Sequence, residues 1–407
     1  MHMDRRRFLA TAAGAMFATA TAPVHAAHAA RNKARIAMIC YNRPLHGRPA
    51  WLPRDGAAQI PFVAVADLAD GTVRRRDAPA GAHLAYGLPD GSGILVCPID
   101  RPRWMLLDAA TLDPLYEFDS PAGFAGGGHA VMHDGHLLCV DRDASAAQGN
   151  AAATGRVTIR DAGNGHIVGG FSSHGLQPHD IAILPDGKSV AIANYGSLPG
   201  ARQPGPPKVL QSSIAIVEIA SGRLLDLKPA PRADTEIRHL AVSGAWILGL
   251  PTQLVDREEA ATLPADVRDR AAYPQNGPAG IYAPALPVLS AGGAALEEVA
   301  GIDPADAIHG LSCAWDELHK RFLVTFPGSG RIAALNPHGR CLHSVDLARM
   351  GCEHPTALVL ISDTRIGIIN YWRDIVVLDR ATLSALPGAT LPVAIGGNSH
   401  ASLLPAG

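Results

Sequence analysis

The chain has 407 residues, of which 47% are hydrophobic and 18% charged, so it can bury a large core. Its formal net charge of −2 excludes a nucleic-acid binder that works through a basic surface. Glycine (42) and proline (32) are spread along the chain, which suits many tight turns better than a disordered tract.

Residues 1–29 read as a targeting segment. Asp4-Arg5-Arg6-Arg7-Phe8-Leu9 resembles a twin-arginine export signal, and an alanine-rich run from Ala10 to Ala22 and small-residue sites near Ala26 and Ala29 follow it. The mature protein, residues 30–407, is therefore expected in the periplasm, having crossed already folded. The first mature strands are expected at Arg35–Ile39, Phe62–Val65 and Thr72–Arg74. A long loop over 42–60 separates the first two.

Seven units then follow. Each is opened by a histidine at the head of a short apolar run that ends in a turn signal: His83, His129, His179, His239, His309, His354 and His400. Successive gaps run from 45 to 70 residues. A four-stranded propeller blade is about 40 to 50 residues, with longer gaps holding insertions. The third unit is the clearest. His179–Leu184 and Ser189–Asn194 flank the turn Pro185-Asp186-Gly187-Lys188, and Ser213–Ile219 and Arg223–Leu227 complete the sheet. The chain stops after one inner strand, His400–Leu404, while its mature start supplies three strands that lack one. The fold class is therefore all-β, a seven-bladed β-propeller whose seventh blade is closed by the N- and C-terminal strands. This arrangement leaves only short, protected edges.

In that fold the histidines ring one mouth of the channel. The second strands end at the same mouth with Asn194-Tyr195, Asn370-Tyr371 and Asp141-Arg142-Asp143. Asn194, Tyr195, Asn370, Tyr371 and Arg142 are thus candidates to contact a cofactor. Long loops over 142–155, 195–212 and 251–284 leave from the same ends, where binding sites usually lie. Seven imidazoles around a narrow axis cannot all be protonated. When neutral they offer nitrogen lone pairs, which suit copper, iron, nickel or zinc. Copper and iron lead, and Asp180 and Glu353 are placed to orient the rings. Cys352 reads as a buried thiol or a thiolate ligand, and Cys40, Cys97 and Cys139 as buried hydrophobes. Metal handling, a metal-dependent oxidoreductase and a metal-free interaction scaffold all stay open. A channel of structural histidines threaded by water is the plain alternative.

Gly128-His129-Ala130-Val131, Pro178-His179-Asp180 before Pro185-Asp186-Gly187, Ala193-Asn194 and Ile237-Arg238-His239-Leu240-Ala241 resemble the DUF1513 family of twin-arginine-exported, propeller-like proteins. That resemblance implies a metal-related periplasmic setting, with metal-uptake or redox proteins as partners. The complete set of seven histidines is similar to the propeller of nitrous oxide reductases, where such a ring holds a copper cluster. No cupredoxin-type segment is seen, so what carries over is the ligand ring alone, onto the seven histidines named above.

Overall fold

The computed structural model describes residues 34–41, 61–198, 206–265, 281–291, 293–371, 374–386, 390–391 and 400–405. The expected export segment and the 42–60 loop lie outside these, as do parts of the 195–212 and 251–284 loops. Seven antiparallel sheets are arranged as the blades of a propeller. Their inner strands are Ala82–Gly87, Phe124–His133, Pro178–Ile183, Glu236–Ser243, Ser312–Asp316, Pro355–Leu360 and Ala401–Leu404. Each touches the next in that order, and the last touches the first, so the ring closes.

Closure happens as the chain ends require. Ala401–Leu404 pairs antiparallel with Arg35–Tyr41, which pairs with Pro61–Asp67 and then Val73–Asp77. Leu404 is fully buried among Ala37, Ile39, Val63, Ile94 and Val96, where blade seven meets blade one. The sixth blade departs from the expectation. Its sheet holds Pro355–Leu360, Arg365–Asn370 and Ile375–Asp379, and the expected fourth strand at Leu383–Leu386 is no regular strand but is tied to the third by the bridge Leu378↔Ala385 and by backbone hydrogen bonds such as Leu386 N–H to the Val377 carbonyl.

The core is distributed rather than central. Among the described residues, seven apolar clusters lie one between each pair of neighbouring blades. Second strands such as Gly93–Pro98 and Ser189–Asn194 are buried along their whole length, because a sheet in a propeller is covered on both faces. Outer strands such as Pro114–Asp119 alternate toward solvent. Cys40, Cys97 and Cys139 have no exposed surface and lie inside this packing. Among the described residues, no helix is long and apolar enough to cross a membrane.

Candidate metal centre

A β-bulge aims the first histidines inward. Pairing in blade one passes from Ala82↔Pro98 to Leu84↔Cys97 and skips His83. In blade three it passes from Pro178↔Asn194 to Asp180↔Ala193 and skips His179. A skipped residue leaves the ladder and its side chain can be re-aimed, here toward the axis. In blade two the irregularity spans Gly126 to Ala130 and frees His129. Blade four skips Arg238, and His239 follows it.

His83, His129, His179, His239 and His400 converge. One ring nitrogen from each lies within 4.8 Å of all the others. Ring centroids are 4.4 Å apart for His83 and His400, 4.7 Å for His129 and His179, and 4.8 Å for His239 and His400. The rings meet edge to face or tilted, which lets five imidazoles share a small volume. Gly128 makes room for them. With φ at +112°, its missing Cβ would stand 2.8 Å from both His179 Cε1 and His83 Cδ2.

Hydrogen bonds fix which nitrogens point inward. His129 Nδ1 lies 3.1 Å from Asp180 Oδ1, so Nδ1 carries the proton and Nε2 keeps its lone pair. His179 Nδ1 lies 2.6 Å from the Gly127 carbonyl oxygen and donates to it, the shorter of its two contacts, with Arg142 Nη2 3.2 Å from the same nitrogen. His179 Nε2 then accepts, and His239 Nε2 stands 3.2 Å away as donor, leaving the lone pair of His239 on Nδ1. His129 Nε2, His239 Nδ1 and His400 Nε2 are buried with no hydrogen-bond partner among the described residues. Buried polar atoms are seldom left so. Three inward nitrogens in that state fit a bound ion.

Electrostatics agree. Burial, followed by the charge of neighbouring imidazoles, holds His83, His179, His239 and His400 well below the usual histidine range, so these rings are neutral donors. Arg142 and Arg238 add to the effect on His83.

The remaining expected residues take distinct places. Arg142 is buried; its Nη1 bonds Asp100 at 2.9 Å and its Nε donates to the Pro178 carbonyl at 3.1 Å. Tyr195 packs against His179 with centroids 4.8 Å apart and planes tilted by 47°, and the Arg142 and Arg238 guanidinium groups lie 4.5 and 5.1 Å from its ring centre. These residues brace the cluster from behind. Asn194 is buried and donates to the Ser173 carbonyl. Asn370 donates to Gly351 and accepts from the His354 backbone at 3.4 Å, beside the buried Tyr371. Asp180 does contact His129, whereas Glu353 is exposed. Cys352 lies outside the five-histidine group, and burial pushes its thiol far above the ordinary range.

His309 and His354 stand outside the converging group. His309 lies flat on Tyr282, 3.8 Å between centroids and 8° between planes. His354 Nδ1 reaches the Pro327 carbonyl at 3.2 Å. The site thus unites five of the seven expected histidines. Residues not foreseen are Gly127 and Gly128, Arg238, Asp100 and Tyr282. The run Gly126-Gly127-Gly128 directly before His129 was the available signal for the first two.

A cavity of about 230 Å³ runs along the inner strands beside the cluster. His129, His239 and His400 line it, together with Asp180, Leu240, Ser312 and Ser402.

Among curated sequences, none matches the chain. Among solved structures, hydrazine synthase from Kuenenia stuttgartiensis superposes with a TM-score of 0.56 at 14% identity, covering 80% of this chain and 93% of that one. Apo AztD from Citrobacter koseri aligns at 0.45 and 14% identity, covering 91% and 98%. BamB from Moraxella catarrhalis aligns at 0.42 and 13%, covering 77% of each. At these identities the hydrazine synthase likeness bears on the fold alone. Over residues 102–275, which hold His129, His179 and His239, the chain matches the family described as protein of unknown function DUF1513, the family its histidine motifs resemble.

Proposed function

We propose that this protein is a periplasmic metal-handling propeller that carries one transition-metal ion, copper or iron, in the five-histidine cluster. One observation carries the reading: five imidazoles, four buried and that of His83 partly so, have ring nitrogens within 4.8 Å of one another. Donors on opposite sides of one ion stand about 4.0–4.2 Å apart, twice a metal–imidazole distance of about 2.0–2.1 Å. A contraction of a few tenths of an ångström at each ring brings the set onto a single ion. The donor set is all nitrogen, which favours copper, iron, nickel or zinc over calcium or magnesium. Export of a folded chain through the twin-arginine route would keep an ion loaded in the cytoplasm.

Elemental analysis of protein purified after native export tests this. About one copper or iron per chain, lost in a folded His129→Ala/His239→Ala variant, supports the reading. Absence of metal in wild type after reloading is attempted overturns it. A second reading, a metal-dependent oxidoreductase, draws support from the cavity that adjoins the cluster. Redox turnover by the loaded protein separates it from storage or delivery.

A further inference from the structure

The five histidines are not equivalent in what lies beyond them. His129, His239 and His400 line the channel cavity, whereas His83 and His179 do not. The same three rings carry the buried nitrogens named above: His129 Nε2, His239 Nδ1 and His400 Nε2. His179 joins the cluster but backs onto protein. Its Nδ1 is held by Gly127, and Tyr195, Arg142 and Arg238 close the space behind it. One side of the cluster is therefore packed with protein, and the other opens onto empty volume.

That volume has a definite character. Leu84, Leu240, Leu311 and Leu358 supply aliphatic wall, and the hydroxyls of Ser312 and Ser402 lie among them. Asp180 lines the cavity as well, but its carboxylate is occupied by His129 and by the Ile181 and Leu240 backbone N–H groups. No Lys or Arg side chain lines it among the described residues. At about 230 Å³ it falls below the roughly 300 Å³ of the smallest drug-sized pockets. It admits a small molecule, since a closed cavity of about 150 Å³ already holds benzene.

Resting on the metal reading, we propose that the ion keeps a coordination position directed into the channel, and that this position takes a small Lewis base. All five imidazoles would leave one position in a six-coordinate shell and the three inward nitrogens more, and a histidine-held ion with an open position is the arrangement of reactive metal sites. His129, His239 and His400 form the face that presents the ion, and the Leu/Ser wall sets the size of what reaches it.

The test uses the full chain loaded with cobalt(II), whose visible spectrum reports coordination, and azide as the probe. Wild type is expected to bind about one cobalt and to shift its spectrum saturably with azide. Ser402→Phe fills the cavity from blade seven and is expected to retain cobalt while losing tenfold or more in azide affinity. Val131→Phe, which fills it from blade two, should do the same if Ser402→Phe fails to fold. Cobalt bound with no azide response, or an equal response in a folded, cobalt-loaded Phe variant, overturns the open position while leaving the metal reading intact. Failure of wild type to bind cobalt or any other divalent metal overturns both.

Discussion

Asp180→Asn changes one atom and separates orientation of a ligand from possession of one. Asp180 Oδ1 accepts from the Ile181 N–H at 2.8 Å and from His129 Nδ1 at 3.1 Å, while Oδ2 accepts from the Leu240 N–H at 3.0 Å. An asparagine has one acceptor and one donor for these three donors. If its oxygen faces His129, its amide opposes the Leu240 N–H. One interblade hydrogen bond is then replaced by two opposed donors, costing about 1–3 kcal/mol of stability. If the amide is flipped, His129 must accept on Nδ1 and carry its proton on Nε2. The nitrogen that faces the other histidines then becomes a donor and cannot bind an ion. Loss of such a partner behind a metal-bound histidine typically weakens affinity 10- to 100-fold, or about 1.4–2.8 kcal/mol.

The assay is competition against a chelator of known affinity, run beside urea unfolding of the metal-free protein. The expected result is a folded variant, modestly destabilised, with metal affinity down by at least tenfold. A folded variant whose affinity stays within threefold of wild type would refute the assignment of His129 Nε2 as an inward donor.

Other perturbations follow from the same geometry. Gly128→Ala places a Cβ against two ligand rings at φ +112°, and should cost about 1–3 kcal/mol in the urea midpoint together with most of the bound metal; wild-type metal content would contradict the packing described. Leu404→Ala should remove about 2–5 kcal/mol by opening a void under the closing strand, and a midpoint within 0.5 kcal/mol of wild type would argue that the strand is dispensable. In the metal-free protein, burial and then Arg238 and His354 hold His309 well below 6.5, while the unfolded chain protonates near 6.5. Stability is therefore full above pH 6.5 and declines as pH falls below it, by up to about 1.4 kcal/mol per unit for each such histidine. His309→Gln should flatten the stability profile between pH 6.5 and 5 by about one proton, and an unchanged slope would count against the shift.

The propeller was legible because its signals are local and repeated. Pro185-Asp186-Gly187 between two apolar runs specifies a hairpin wherever it falls, and a missing inner strand at one end matched by a spare strand at the other specifies closure. The histidines were legible as a set, and so was Asp180 beside His179. What the sequence withheld depends on register. Arg142 reads as a polar rim residue, yet it is buried against Tyr195 because Asp100, 42 positions earlier, folds back to neutralise it. Tyr282 lies beyond a long insertion and meets His309 only in three dimensions.

Register also accounts for the two histidines that stand apart. The residue skipped by the inner-strand bulge is His83 in blade one and His179 in blade three, but Thr356 in blade six. In each case the preceding residue pairs with the end of the second strand, at Pro98, Asn194 and Asn370 respectively. His354 therefore sits two residues ahead of the position that His179 fills. Blade five is offset in the same direction. The Asp180 side chain accepts the N–H of Leu240 in the next blade, and the Ser312 side chain accepts the N–H of Leu358 in its own next blade. Ser312 is thus the counterpart of Asp180, which places His309 three residues ahead of that position where His179 is one ahead. At about 3.3 Å per residue, an offset of two residues carries a side chain about 6–7 Å toward the mouth. That is more than the 4.8 Å that spans the whole cluster. A shared histidine at the head of each repeat is thus not sufficient for membership of the cluster; in blades five and six the offset from the position that His179 fills carries the imidazole out of reach.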